Sequence, residues 1–196
     1  MKFHVQRTAA ACFAILRQLR SIRRSVPASV YQTLIVSLIL TRLDYGNATL
    51  AGLPVYLVSR LQSVMNAAAR SIVGIKRSEH ITPILASLHW LKVSERIKFK
   101  LAVLSYRCLH GVAPTYLADD IRRVSDIPSR RMLRSSYTNA LITRPTRLST
   151  VGDRAFSSAA PRIWNSLPSD VTSAPSLSSF RRQLKTYLYQ FSFPNS

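Results

Sequence analysis

The chain has 196 residues, enough for one domain of ordinary size or two small ones. Its 28 Lys and Arg against 8 Asp and Glu give a formal net charge of +20 and a pI near 11.3, while 47 % of residues are hydrophobic and only 5 are Gly. A core of that size excludes wholesale disorder, and that charge excludes an ordinary neutral enzyme in favour of a polyanionic partner, nucleic acid before an anionic membrane surface.

The first stretch is basic and carries no acid before Asp44, as a mitochondrial transit peptide would. Yet Cys12, Ile15, Leu16, Leu19 and Ile22 share one helical arc, and Arg17, Arg20 and Arg24 line the next, which predicts a helix belonging to the fold. Pro27 suits a first helical turn. Residues 30–40 are apolar nearly all round and predict a buried second helix, stopped by Gly46 and Asn47. Pro54 opens a third helix, with Leu57, Leu61, Val64, Ala68 and Ile72 on one face and Gly74 closing it.

Residues 76–81, a run of Lys, Arg, Ser, Glu and His ending at Ile81, read as a linker. Thr82 and Pro83 then look like an N-cap and a first helical position, and Ser94 like the cap of the next helix. That helix turns Ile97, Leu101, Leu104 and Cys108 to one side, carries Arg96, Lys100 and Arg107 as a basic stripe, and ends at Gly111. From 122 to 150 helical periodicity is lost, and Arg122, Arg123, Arg130, Arg131, Arg134, Arg144 and Arg147 face one acid, Asp126. A structureless loop that long is unusual in a compact domain. It is disordered, partly extended around 141–143, or ordered by a ligand. A last helix sets Phe180, Leu184, Tyr187, Leu188 and Phe191 on one face and Arg181, Arg182 and Lys185 on another. The whole predicts an all-α protein: a three-helix unit over 1–75, the linker 76–81, and a helical region 82–196 holding the basic loop 122–150.

Catalytic constellations are missing from this pattern. Tyr116-Leu117-Ala118-Asp119-Asp120 superficially resembles the aromatic-x-Asp-Asp hairpin of reverse transcriptases. Two-metal chemistry there needs carboxylates converging on ions roughly 3.5–4 Å apart. Here the aromatic sits one place too early, and Arg122-Arg123 follows where an apolar strand belongs. The pair reads as helix-end acids balancing nearby arginines. Cys108 and His110 have no second pair at zinc-finger spacing, so a packed thiol and a surface histidine are expected. No Gly-x-Ser-x-Gly turn or Walker-type glycine loop occurs. Trp90 and Trp164 sit among apolar residues and read as core. Two cysteines make no disulfide framework and suit a reduced intracellular setting. No apolar run reaches the roughly 18 residues of a spanning helix. Arginine clusters unmixed with acid read as sequence-independent phosphate contacts: Arg17, Arg20 and Arg24 on the first helix, and Arg130, Arg131, Arg134, Arg144 and Arg147 on the loop.

Five blocks carry a family resemblance. They are Leu43-Asp44-Tyr45-Gly46-Asn47; Gln62-Ser63-Val64-Met65-Asn66-Ala67-Ala68-Ala69-Arg70; and Leu88-His89-Trp90-Leu91 followed by Arg96-Ile97. His110-Gly111-Val112-Ala113-Pro114-Thr115-Tyr116-Leu117 and Ala160-Pro161-Arg162-Ile163-Trp164-Asn165-Ser166-Leu167-Pro168 complete the set. In this order they resemble the C-terminal portion of a LINE-type (non-LTR) retrotransposon reverse transcriptase of the jockey-like group. The resemblance covers nearly the whole chain, and the Trp-Asn-x-Leu-Pro block is its most specific part.

The resemblance implies a helical thumb over 1–75 and a further C-terminal region, with an ancestry in target-primed reverse transcription of element RNA. The family's fingers, palm, catalytic carboxylates and apurinic-type endonuclease have no counterpart here, and the Cys-Cys-His-Cys knuckle of some relatives is absent. Gly46 stands where many relatives carry Cys. What is implied is a truncated, catalytically incomplete fragment, not an enzyme by itself, needing no cofactor, metal or small-molecule substrate. It would bind template–primer nucleic acid (RNA, DNA or hybrid) through phosphates, in the nucleus or cytoplasm. Surface that faced a palm, at 34–40 and on the final helix at Tyr187, Leu188 and Phe191, would be uncovered and favour self-association. A basic membrane- or mitochondria-directed helical protein and a transcribed relic without selected function are the alternative readings.

Overall fold

A computed structural model describes residues 1–126, 139–146 and 151–194. The protein is all-α. Among the described residues the extended pairing is limited to a lone antiparallel bridge between Arg123 and Leu141. The chain forms two compact units: Met1–Asn47, Leu53–Arg96 and Tyr189–Ser196 make unit 1, and Ala48–Gly52 with Ile97–Leu188 make unit 2.

Unit 1 is built on α1 (Lys2–Ile22) lying along α4 (Val55–Val73). Val5, Ala9, Cys12, Leu16 and Leu19 are all buried on α1, at i, i+4, i+7, i+11 and i+14. The stripe therefore starts seven residues earlier than the arc read from Cys12. Ile22, expected on that arc, is 40 % exposed because the helix ends there and the chain turns. On α4, Leu57, Leu61, Val64, Met65, Ala68 and Ala69 are buried. Gly74 closes this helix in the left-handed conformation (φ +86°), its N–H donating to the Arg70 carbonyl at 2.8 Å.

The segment expected to be buried all round is not. It comprises α2 (Ala28–Ile35), a π turn (Val36–Leu40) and α3 (Thr41–Asp44). Tyr31, Ile35, Ile39 and Leu43 are buried, whereas Val30, Val36 and Leu38 are each more than a third exposed. Four-residue spacing on an α-helix drifts by about 40° per step. The wider π turn absorbs that drift and keeps one stripe facing α1 and α4. Tyr31 anchors it through a buried hydroxyl contact to Ser71 Oγ at 2.6 Å. Beyond α3 the chain extends at Tyr45 and turns at Gly46 (φ +71°), and Asn47 Nδ2 donates to Asp44 Oδ1 at 2.8 Å. The Arg96 guanidinium grips the same carboxylate, with Nε donating to Oδ1 at 2.8 Å and Nη2 to Oδ2.

Next come α5 (Thr82–Ser87) and α6 (Val93–Leu109). Ile81, not Thr82, is the N-cap of α5. Its other end is a Schellman turn with His89 at φ +53°: the His89 N–H donates to Ala86 O and the Trp90 N–H to Leu85 O, both at 2.9 Å. Leu85 and Trp90 are both buried beside it. Ser94 does not cap α6, since its hydroxyl donates to Glu95. Instead the Val93 N–H donates to Gln62 Oε1 at 2.9 Å. This bond and the Asp44–Arg96 pair hold 81–96 in unit 1, so the unit boundary falls inside α6 while 76–81 lies within unit 1. Tyr189 joins the same unit, donating its hydroxyl to Ala86 O at 2.9 Å, and Lys92 lies 5.5 Å over the Phe193 ring.

Unit 2 holds the rest of α6, then α7 (Thr115–Ala118), α8 (Phe156–Asn165), α9 (Ser169–Thr172) and α10 (Leu177–Ser192) as far as Leu188. An aromatic column runs from the surface into its core: exposed His110 on Tyr106 (3.9 Å between centroids), Tyr106 on Phe180 (4.5 Å) and Phe180 on Trp164 (5.7 Å). Trp164 Nε1 donates to Asn139 O at 2.8 Å. The Asn165 amide brackets Leu141, accepting its N–H and donating to its carbonyl, each at 2.8 Å. That bracket does for one residue what a neighbouring strand would do. Leu104, expected on the packed face of α6, is half-buried. At the end of α10 Leu188 is buried, contrary to the expected uncovered patch, whereas Phe191 is 64 % exposed.

Candidate nucleic-acid interface

Burial of Cys12, Leu16 and Leu19 turns the opposite stripe of α1 outward, and burial of Leu61, Val64 and Ala68 does the same for Asn66 and Arg70 on α4. Between these faces runs an open groove of about 1090 Å³. Its walls carry Arg20, Arg23, Arg24, Arg70 and Arg77, and among the described residues no carboxylate lines it.

The five guanidiniums are held differently. Arg23 Nη2 donates to Ile72 O at 3.3 Å, satisfying a carbonyl at the C-terminal end of α4. Gly74 makes room for it: a Cβ there would collide with Arg23 Nη2 and lie 3.0 Å from its Cζ. Arg70 Nη2 donates to Glu79 O at 3.2 Å, and its buried Nε has no acceptor among the described residues. The side chains of Arg20, Arg24 and Arg77 make no hydrogen bond or ion pair among the described residues, and all three are exposed. Asn66 is oriented by a relay. Gln62 Oε1 is occupied by the Val93 N–H, so Gln62 Nε2 donates to Asn66 Oδ1 at 2.8 Å. That leaves Asn66 Nδ2 as a donor on the groove wall. The side chains therefore present donors and positive charge, which select an anionic ligand rich in acceptors.

Of the arginines expected to touch phosphate, the structure brings Arg20 and Arg24 together in the groove; Arg17 is exposed on α1 but does not line it. Arg144 is exposed in unit 2, and Arg130, Arg131, Arg134 and Arg147 lie outside the described residues. Sequence reading missed Arg23, Arg70 and Arg77. Arg23 adjoins Arg24, but nothing in the local pattern pairs α1 with Arg70 or with the segment holding Arg77. The stripe read on α6 does not form a free basic face, because Arg96 is paired with Asp44 and Arg107 donates to Val112 O at 3.0 and 3.3 Å. Asp119 and Asp120 are exposed just past α7.

Both thiols are buried, and Asp153 is tied into unit 2. Burial pushes Cys12 and Cys108 up from the usual thiol value, against a smaller downward pull from Arg42 and Arg107 respectively. Asp153 is held below the usual carboxylate value first by the Thr146 hydroxyl and then by Arg162, whose Nη2 donates at 2.7 Å. Among the described residues no cluster of three His, Cys, Asp or Glu is placed to hold a metal, and no helix is long and apolar enough to cross a membrane. No protein-family model, curated protein or solved structure matches the chain.

Proposed function

We propose that the chain is a non-catalytic, helical portion of a retrotransposon RNA-directed DNA polymerase, and that it holds nucleic acid by its phosphates in the α1–α4 groove. The observation that carries the binding reading is the groove itself, five arginines and an oriented Asn66 amide around one cleft without a carboxylate. The polymerase ancestry rests on the five sequence blocks. Two of them meet in unit 1, where Asp44 of the first pairs with Arg96 of the third. Contacts of this kind position a strand without reading its sequence.

Titration against RNA, DNA and hybrid at several salt concentrations tests the reading. With roughly six phosphates engaged on a duplex, log K should fall with log salt at about −0.9 per contact, near −5 overall. The triple variant Arg20→Ala, Arg24→Ala, Arg77→Ala should flatten that slope by about three units. Helicity should not change, because none of the three side chains is packed. A slope near zero, or one the triple variant leaves untouched, would refute phosphate binding in this groove. Tight binding to anionic vesicles with indifference to RNA would assign the charge to a membrane surface instead.

A further inference from the structure

Phosphate contacts leave the groove's one aromatic lining residue among those described, Phe13, without a task. Phe13 lies on the groove wall with 38 % of its surface exposed. It shares a stripe of α1 with Arg17 and Arg20, at i, i+4 and i+7, two turns or about 10 Å from Arg20 along the axis. Ala67 and Ser63 of α4 line the same groove with short side chains, and Asn66 adds the Nδ2 donor described above.

We infer that the Phe13 end of the groove takes an unpaired base, so that the ligand of this site is single-stranded nucleic acid. The inference rests on the phosphate reading and narrows its substrate class. A duplex offers phosphates but hides its base faces in the stack, so it has nothing to lay on an aromatic ring. A single strand offers both, and an aromatic beside a basic track is the arrangement that holds it with little sequence preference. Here the base stacks on Phe13, its polar edge meets the Asn66 amide, and the phosphates follow Arg20, Arg24 and Arg77.

The test crosses a protein change with a ligand change at constant charge. The ligands are a short single-stranded RNA, the same strand with abasic residues, and its RNA–DNA hybrid. The full-length protein should prefer the base-bearing strand over the abasic one by roughly 5- to 150-fold, the effect of one or so stacked bases. Phe13→Ala and Phe13→Leu should abolish that preference, leave the salt slope unchanged and leave hybrid affinity alone. The Leu variant keeps apolar bulk without a π face, so it separates lost stacking from lost packing. Phe13→Trp should retain the preference and lose fluorescence on binding the base-bearing strand only; the native Trp90 and Trp164 are buried. Unchanged discrimination in the Ala and Leu variants, or an equal loss on the hybrid, overturns the inference. If the triple arginine variant weakens binding while Phe13→Ala does not, the stacking fails and phosphate binding stands. If neither has an effect, both fail.

Discussion

Unit 1 and unit 2 place their polar side chains in opposite company. In unit 2 four of them are joined to one another or to the backbone: Arg107 to Val112, Arg162 to Asp153, Asn165 to both polar groups of Leu141, and Trp164 to Asn139. In unit 1 the structural polar contacts are also made, by Asp44, Arg96, Gln62 and Tyr31, yet a second set of arginines gathers around a groove with no acid among its described lining residues. Like charges held close together without counter-charge weaken a fold by mutual repulsion. Arg20, Arg24 and Arg77 therefore contribute little to the stability of unit 1, and the proposed phosphate ligand would account for their placement. The side chains that hold unit 2 together are explained by the fold alone.

The largest test of this contrast is Trp164→Ala. It removes a ring that is 2 % exposed, the end of the aromatic column and the bond to Asn139. Thermal or urea unfolding should show a loss of about 3–5 kcal/mol. The triple groove variant should lose nothing measurable in the same assay, and a comparable loss there would break the contrast.

A smaller effect should come from Gly74, where fold and groove meet. Gly74→Ala places a side chain in the left-handed region, a strain of about 1–2 kcal/mol, and drives the Arg23 guanidinium from Ile72 O. In an Arg23→Ala background only the backbone part should survive. Equal costs in the two backgrounds would show that Gly74 serves the turn and not the arginine.

The smallest concerns pH. The folded Asp153 carboxyl lies below its unfolded value, so its contribution to unit 2 is present above the ordinary aspartate range and lost as pH falls through the folded value. NMR titration should place Asp153 below the ordinary aspartate value, and Thr146→Val should raise it. An ordinary value in the parent protein would remove this contact from those that hold unit 2.

Much of the fold was legible because amphipathic helices write their buried face into the sequence. The α1 arc from Cys12 to Leu19, the α4 stripe and the Gly74 stop were all readable, as was the core placement of both tryptophans. Residues 30–40 were not, for a definite reason. An all-apolar segment has no phase, so the sequence could not say which side would be covered, nor that a π turn would keep Tyr31, Ile35, Ile39 and Leu43 aligned. The cap misread at Ser94 has another cause: a remote Gln62 satisfies α6, and no local rule sees 31 residues away.

The same division runs through the candidate site. By itself the sequence determined an all-α chain, a large positive charge and two groove arginines, Arg20 and Arg24, because charge and helical period are local properties. Only the tertiary structure decided that Arg23, Arg70 and Arg77 would join them, that Asn66 would show its donor side, and that Phe13 would stand beside the cluster. These depend on how α1 lies along α4, and that arrangement is fixed by a buried seam whose members are spread from Val5 to Ala69. Local rules describe each face; packing decides which faces meet.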